Sequence, residues 1–244
     1  MENLIDSIFR ITVGIRYQRS FGLLDSTGEI VDSILHDDDS PFAHDFFTEI
    51  AESIDRGKIL ARAAGQTRLS INSDDLIFQY SFESGDDFKK RFEWISKKCV
   101  PYFINKILSP HRVKKYMRLG MVFSHDLPNP PFLNQSVINL TDDSFSNPET
   151  IVVRFSKRLP VDEALVKKGV NDWENVIFTV QNKTSSTVNL EVDLQHYFDP
   201  LPNELPGEFD YAIFFNGAKD RLISGYHKML QQKFVPLLEN SNGK

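Results

Sequence analysis

Met117-Arg118-Leu119-Gly120-Met121-Val122-Phe123-Ser124 alternates without a break. Met117, Leu119, Met121 and Phe123 fall on one side, and Arg118, Gly120, Val122 and Ser124 on the other. A period of two is the mark of a strand with one face buried and one face polar. Such a strand belongs to an antiparallel sheet covered on one side, because only that arrangement leaves a solvated face. The expected fold class is therefore α+β.

The same grammar recurs on both sides of this stretch. Ile11, Val13, Ile15 and Tyr17 alternate with Thr12, Gly14, Arg16 and Gln18, which reads as another half-buried strand. Leu69 and Ile71 precede Asn72-Ser73-Asp74-Asp75, and Leu76, Phe78, Tyr80 and Phe82 follow, the pattern of a hairpin. Asp25-Ser26-Thr27-Gly28 reads as a turn, and Glu29 to Leu35 fits either a short strand or a helical turn. Ser40-Pro41 is a good helix start, and Phe42, Phe46, Ile50 and Ile54 recur every fourth residue up to Gly57, predicting a helix there. A second helix is expected from about Asp86 to Leu108, with Phe88, Phe92, Ile95, Cys99 and Phe103 inward and a kink at Pro101.

Asp126-Leu127-Pro128-Asn129-Pro130-Pro131 reads as a connector. Beyond it, strands are expected at Ile151 to Phe155, Val176 to Val180 and Val188 to Leu194, with a polar turn between the last two. Asp199-Pro200-Leu201-Pro202 stops the last strand, and a long helix from about Gly207 to Phe234 follows, with Tyr211, Phe215, Leu222 and Met229 on its stripe. The expected organisation is two similar halves, residues 1–130 and 131–244, each of antiparallel strands packed by a long helix. The halves are expected to pack intimately, with a single domain as the alternative.

Two stretches also carry a family resemblance: Arg118-Leu119-Gly120-Met121-Val122-Phe123, and Asp193-Leu194-Gln195-His196-Tyr197-Phe198 ahead of the C-terminal helix. Over nearly its whole length the chain resembles a sporadically distributed family of uncharacterised bacterial and archaeal proteins of similar length. The resemblance implies the fold and a prokaryotic setting, and it supplies no catalytic residue. Near Ser124 the chain departs from the aromatic that the resemblance leads one to expect.

A chain of 244 residues can bury a large core without staples, and its 20 Phe suggest a core built from rings. The formal charge of −6 argues against a general polyanion binder, since phosphate contacts need dense Lys and Arg, so nucleic acid is not the expected partner. Lys97, Lys98, Lys106, Arg112, Lys114, Lys115 and Arg118 are the best local basic patch and read first as a solvated face. Cys99 is the single cysteine; it excludes an intrachain disulfide and reads as a core thiol. No apolar run suits a membrane helix and the N-terminus is not a signal peptide, so the expected compartment is the cytoplasm.

Two clusters carry ligand chemistry. His36-Asp37-Asp38-Asp39 with His44 and Asp45 has the donors a divalent metal needs, with His36, Asp38, His44 and Asp45 the candidate ligands. The competing reading is an acidic loop favoured by a helix dipole, and no metal is expected there. Glu191, Asp193 and Gln195 share a strand face, as the acids of a metal-dependent nuclease do, and also as the water side of any antiparallel sheet does. No nucleophile elbow, phosphate loop, zinc-protease helix or dinucleotide fingerprint occurs, and no cofactor is expected. Phe214 and Ile213 lie off the stripe of the C-terminal helix and are the candidate interface residues. The expected function is a non-enzymatic cytoplasmic interaction module for a protein partner or a second copy. The alternative is a metal-dependent hydrolase acting on nucleic acid.

Overall fold

A computed structural model of the chain describes residues 8–53, 58–63, 66–128, 150–159, 169–182, 187–205, 211, 214–217 and 220. Nine strands among them form one sheet: β1 (Ile8–Tyr17), β2 (Glu49–Ser53), β3 (Lys58–Arg62), β4 (Arg68–Ile71), β5 (Asp75–Ser81), β6 (Tyr116–Pro128), β7 (Val152–Leu159), β8 (Trp173–Asn182) and β9 (Thr187–Tyr197). Their order across the sheet is β2-β3-β4-β5-β1-β6-β9-β8-β7, and every pairing is antiparallel. The α+β class with an antiparallel sheet is what the alternating segments require. The boundary near residue 130 does not divide this sheet, because β6 pairs along its length with β9.

Alternation decides which face is buried. Ile11, Val13, Ile15 and Tyr17 of β1 are sealed from solvent, as are Leu119, Met121 and Phe123 of β6 and Val188, Leu190, Val192 and Leu194 of β9. Helices cover this inner face. Phe88 and Phe92 lie 6.2 and 6.4 Å from the Phe123 ring, and Phe103 lies 5.5 Å from Phe78. Phe42 sits among Phe46, Phe47, Phe78, Trp94 and Phe103, with ring centroids 5.0 to 5.8 Å away. Buried side chains from both sides of residue 130 join in one hydrophobic cluster.

The helical region after β5 is continuous, as its apolar stripe predicts. Asp87 caps it by accepting from the Lys90 N–H at 3.1 Å. It comprises α3 (Phe88–Trp94), a π-helical segment Ile95–Cys99, α4 (Val100–Tyr102) and a second π-helical segment Phe103–Leu108. Pro101 has no N–H to give, and the wider turns on either side absorb the break. Val100 accordingly donates to Ile95 and Ser109 to Ile104, each five residues back.

Four local expectations need correction. No helix spans 40–57: Phe42 to Phe47 form a loop, and Glu49–Ser53 is β2, paired with β3. Phe42 and Phe46 are rings of a compact loop that pack on Trp94, Phe42 also on Phe78, and Ile50 belongs to β2. Ser40 Oγ donates back to the Ile34 carbonyl at 2.9 Å, and at 3.3 Å it accepts only from Phe42 N–H. Residues 25–28 are not a glycine turn: α1 (Gly22–Asp25) passes almost directly into α2 (Thr27–His36), and Gly28 lies inside α2. Ile30 and Ile34, one turn apart, bury that helix.

Met117 faces out, 38% exposed, because the β1–β6 register slips by one residue between the Arg16–Arg118 and Tyr17–Tyr116 pairs. Such a bulge turns one side chain to the other face. Finally, β6 runs through Asp126 and Leu127 to Pro128, paired with Asn189, Val188 and Thr187, so the connector begins later than expected. At the C-terminus Tyr211, Phe214–Gly217 and Asp220 are helical, and Phe215 is buried in the core. The rest of the helix expected over 207–234 lies outside the described residues, as does the polar stretch at 134–149.

Candidate binding face and its trough

Every helix whose packing is described lies on the inner face, so the outer face of the sheet carries the remaining chemistry. Strand register arranges its side chains in rows. Asp75, Arg16, Arg118, Tyr197 and Trp173 form one row across β5, β1, β6, β9 and β8. Ile77, Gly14, Gly120, Gln195 and Asn175 form the next, with Arg158 of β7. Gln79, Thr12, Val122, Asp193 and Ile177 form the third, and Arg10, Ser124, Glu191, Thr179 and Arg154 the fourth.

The first row is an aromatic stack clamped by guanidinium groups. Trp173 and Tyr197 lie face to face at 3.9 Å with 2° between their planes. The Arg158 guanidinium sits 4.3 Å above the Trp173 ring, and Arg118 sits 5.6 Å from the Tyr197 ring. Arg118 also donates to the Tyr197 hydroxyl at 3.2 Å, and that hydroxyl donates to Gln195 Oε1 at 2.8 Å. Cation–π contacts and ring stacking of this kind hold the four side chains together.

The second row contains a gap. Gly14 and Gly120 are directly opposed on the two central strands. A Cβ on Gly14 would meet nothing within 4 Å, and one on Gly120 would make only ordinary contacts from 3.5 Å outward. Neither glycine has a positive φ, so neither backbone nor packing demands it. Glycine inside a strand costs roughly 0.5–1 kcal/mol relative to Ala. What the pair leaves is a trough of about 170 Å³. By register Arg16 and Arg118 border it on one side, Thr12, Val122 and Asp193 on the other, with Ile77 and Gln195 at its ends.

The charges around the trough are unevenly used. Arg16 and Arg118 are direct cross-strand partners, a like-charge pairing that destabilises a sheet. Among the described residues neither has a carboxylate within ion-pair distance. Asp75 faces Arg16 in register but accepts from Asn72 Nδ2 at 2.5 Å. Burial pushes the Asp193 carboxyl above its usual range, against the hydrogen bond from Gln195 and the attraction of Arg118 and Arg154.

The residues singled out from sequence are distributed as follows. Glu191 and Asp193 do share the outer face, but Glu191 is held by Arg10 Nη2 at 3.2 Å and by the Ser124 hydroxyl at 3.4 Å. His36, Asp38, His44 and Asp45 are exposed around the loop after α2, and no group of three metal-binding side chains converges among the described residues. Asp39 in that loop pairs with Lys106 at 2.7 Å, which holds its carboxyl below the ordinary range. In the adjoining cleft of about 470 Å³, Trp94 Nε1 donates to the Pro41 carbonyl and the Tyr102 hydroxyl to that of Ser33. Lys97 pairs with Glu93 at 3.8 Å, so the basic patch is partly neutralised. Cys99 is buried, and burial pushes its thiol up. Phe214 packs on His196 and Phe215, with centroids at 5.7 and 5.1 Å, and Ile213 lies outside the described residues.

No family model, curated protein or solved structure matches this chain. The glycine pair, the facing arginines and the Trp173–Tyr197 stack were not singled out by sequence reasoning. Gly14 with Arg16, and Gly120 with Arg118, were visible as polar-face residues of two strands; that the strands are neighbours was not. No helix among the described residues is long and apolar enough to cross a membrane.

Proposed function

We propose that the chain is a non-catalytic binding module that recognises an acidic protein partner through the outer face of its sheet. The Arg158–Trp173–Tyr197–Arg118 stack carries this reading. Trp, Tyr and Arg dominate the energetics of protein interfaces, and here they stand pre-ordered on one face. Charge supports the choice of partner. Arg10, Arg16, Arg62, Arg68, Arg118, Arg154 and Arg158 outnumber Glu49, Asp75, Glu191 and Asp193 on this face, although the whole chain carries −6. Two copies meeting face to face through such a surface would repel. These cations are Arg, which interfaces favour over Lys. The hydrolase alternative has less behind it, because Glu191 would have to leave Arg10 to hold a metal.

Capture from a prokaryotic lysate by the immobilised chain tests this, comparing wild type with Trp173→Ala and with Lys89→Ala on the opposite, helical side. An acidic protein retained in stoichiometric amount by wild type and Lys89→Ala, lost with Trp173→Ala and released by salt, is the expected result. Equal retention by Trp173→Ala, or a doubled mass by light scattering that Trp173→Ala abolishes, overturns it.

A further inference from the structure

We infer that the trough above Gly14 and Gly120 is a binding site for a single carboxylate group, seated between Arg16 and Arg118. The inference deepens the binding-module reading and rests on it for the partner, though not for the site itself.

Three observations carry it. The space exists because two opposed residues of central strands lack side chains that the surrounding atoms would accommodate. Two guanidinium groups face each other across the strand pair with no carboxylate on either. Their fork geometry suits a planar anion that accepts from both, and an anion placed between them removes the like-charge repulsion. The far wall selects among anions. Asp193 and Asp75 border the same trough, so its net charge is close to zero and a dianionic phosphate meets two acids as well as two bases. A monoanionic carboxylate meets far less repulsion. Thr12 supplies a polar contact at its edge, and Val122 and Ile77 cover the carbon that bears it.

The carboxylate can arrive as a free small acid or on a polypeptide, and the probes separate these. Amide spectra of the isotope-labelled chain are followed at constant ionic strength during titration with butyrate, with acetyl-Ala-Glu-Ala-amide, with acetyl-Ala-Ala-Ala acid and with inorganic phosphate. The carboxylates are expected to shift the Gly14 and Gly120 amides, with phosphate at least tenfold weaker. The tightest of the three names the source. Gly14→Val fills the trough, and Arg16→Gln with Arg118→Gln removes its cations; each is expected to weaken binding tenfold or more while the remaining spectrum stays folded. The site assignment falls if no carboxylate moves the glycine amides, if Gly14→Val binds as wild type does, or if phosphate binds more tightly. Loss of partner capture by Trp173→Ala together with unchanged glycine amides would leave the binding face standing and remove the carboxylate site alone.

Discussion

His196 sits between two carboxylates on the inner side of the sheet end. Its Nε2 lies 2.9 Å from Asp172 Oδ2 and its Nδ1 lies 3.6 Å from Glu174. Burial by itself disfavours the imidazolium, but the hydrogen-bonding and charge of Asp172 and Glu174 prevail and raise its pKa above 6.5. Asp172 is fixed in turn by the Asp199 N–H at 2.8 Å, tying the end of β9 to the segment before β8. A histidine with a raised folded pKa stabilises fully below its unfolded pKa, and that contribution is lost as pH rises through the folded value. The melting temperature is therefore expected to fall as pH climbs from 6 upward through that window, and His196→Gln to flatten the fall. Calorimetric scans across that range check it; a wild-type profile as flat as the variant's would show that the three groups do not act together. As a lone histidine, His196 reads from sequence as structural, and its partners came from residues 22 and 24 positions earlier, beyond any local pattern.

At the scale of the element, β1 and β6 share a design in which one face is uninterrupted apolar side chain and the other has a hole. Gly14→Val is expected to stabilise the fold, since a β-branched residue suits the strand and its Cβ meets nothing within 4 Å. The gain should be about 0.5–1 kcal/mol, from the lost glycine penalty, or about 1–4 °C in melting temperature for a chain of this size. Thermal denaturation measures it directly, and a lower melting temperature would show that the glycine is required by packing. A residue that costs stability while leaving usable space is the usual trade of a binding site against a fold. The π-helical turns flanking Pro101 belong to this scale too. The stripe of Phe92, Ile95, Cys99 and Phe103 was legible because buried spacing survives a widened turn, whereas the widening itself depends on which carbonyl each N–H reaches.

For the whole molecule, the seam between β6 and β9 is decisive. Eleven register pairs run from Arg118–Tyr197 to Pro128–Thr187, and the apolar row of β9 is buried in the same core as that of β6. Residues 1–130 alone would leave β6 as an open edge, with one flank of its core exposed. The full chain is expected to unfold in a single transition seen alike by far-ultraviolet and near-ultraviolet circular dichroism, and the 1–130 fragment to lack a cooperative transition. Two resolved transitions in the full chain, or a cooperative fragment, would show that the segments fold separately.

The amino-acid sequence by itself determined which segments alternate with a period of two, which face of each is apolar, and where the long helical stripe after β5 runs, because those depend on side-chain spacing along one stretch of chain. It misread 40–57, where a four-residue spacing of rings serves a loop packed on Trp94, because that spacing says nothing of what the rings touch. Only the tertiary structure decided that Gly14 meets Gly120 and Arg16 meets Arg118, more than a hundred positions apart. Register between strands is set by long-range burial and pairing, and so a site made of neighbours on four strands exists only once the sheet has closed around it.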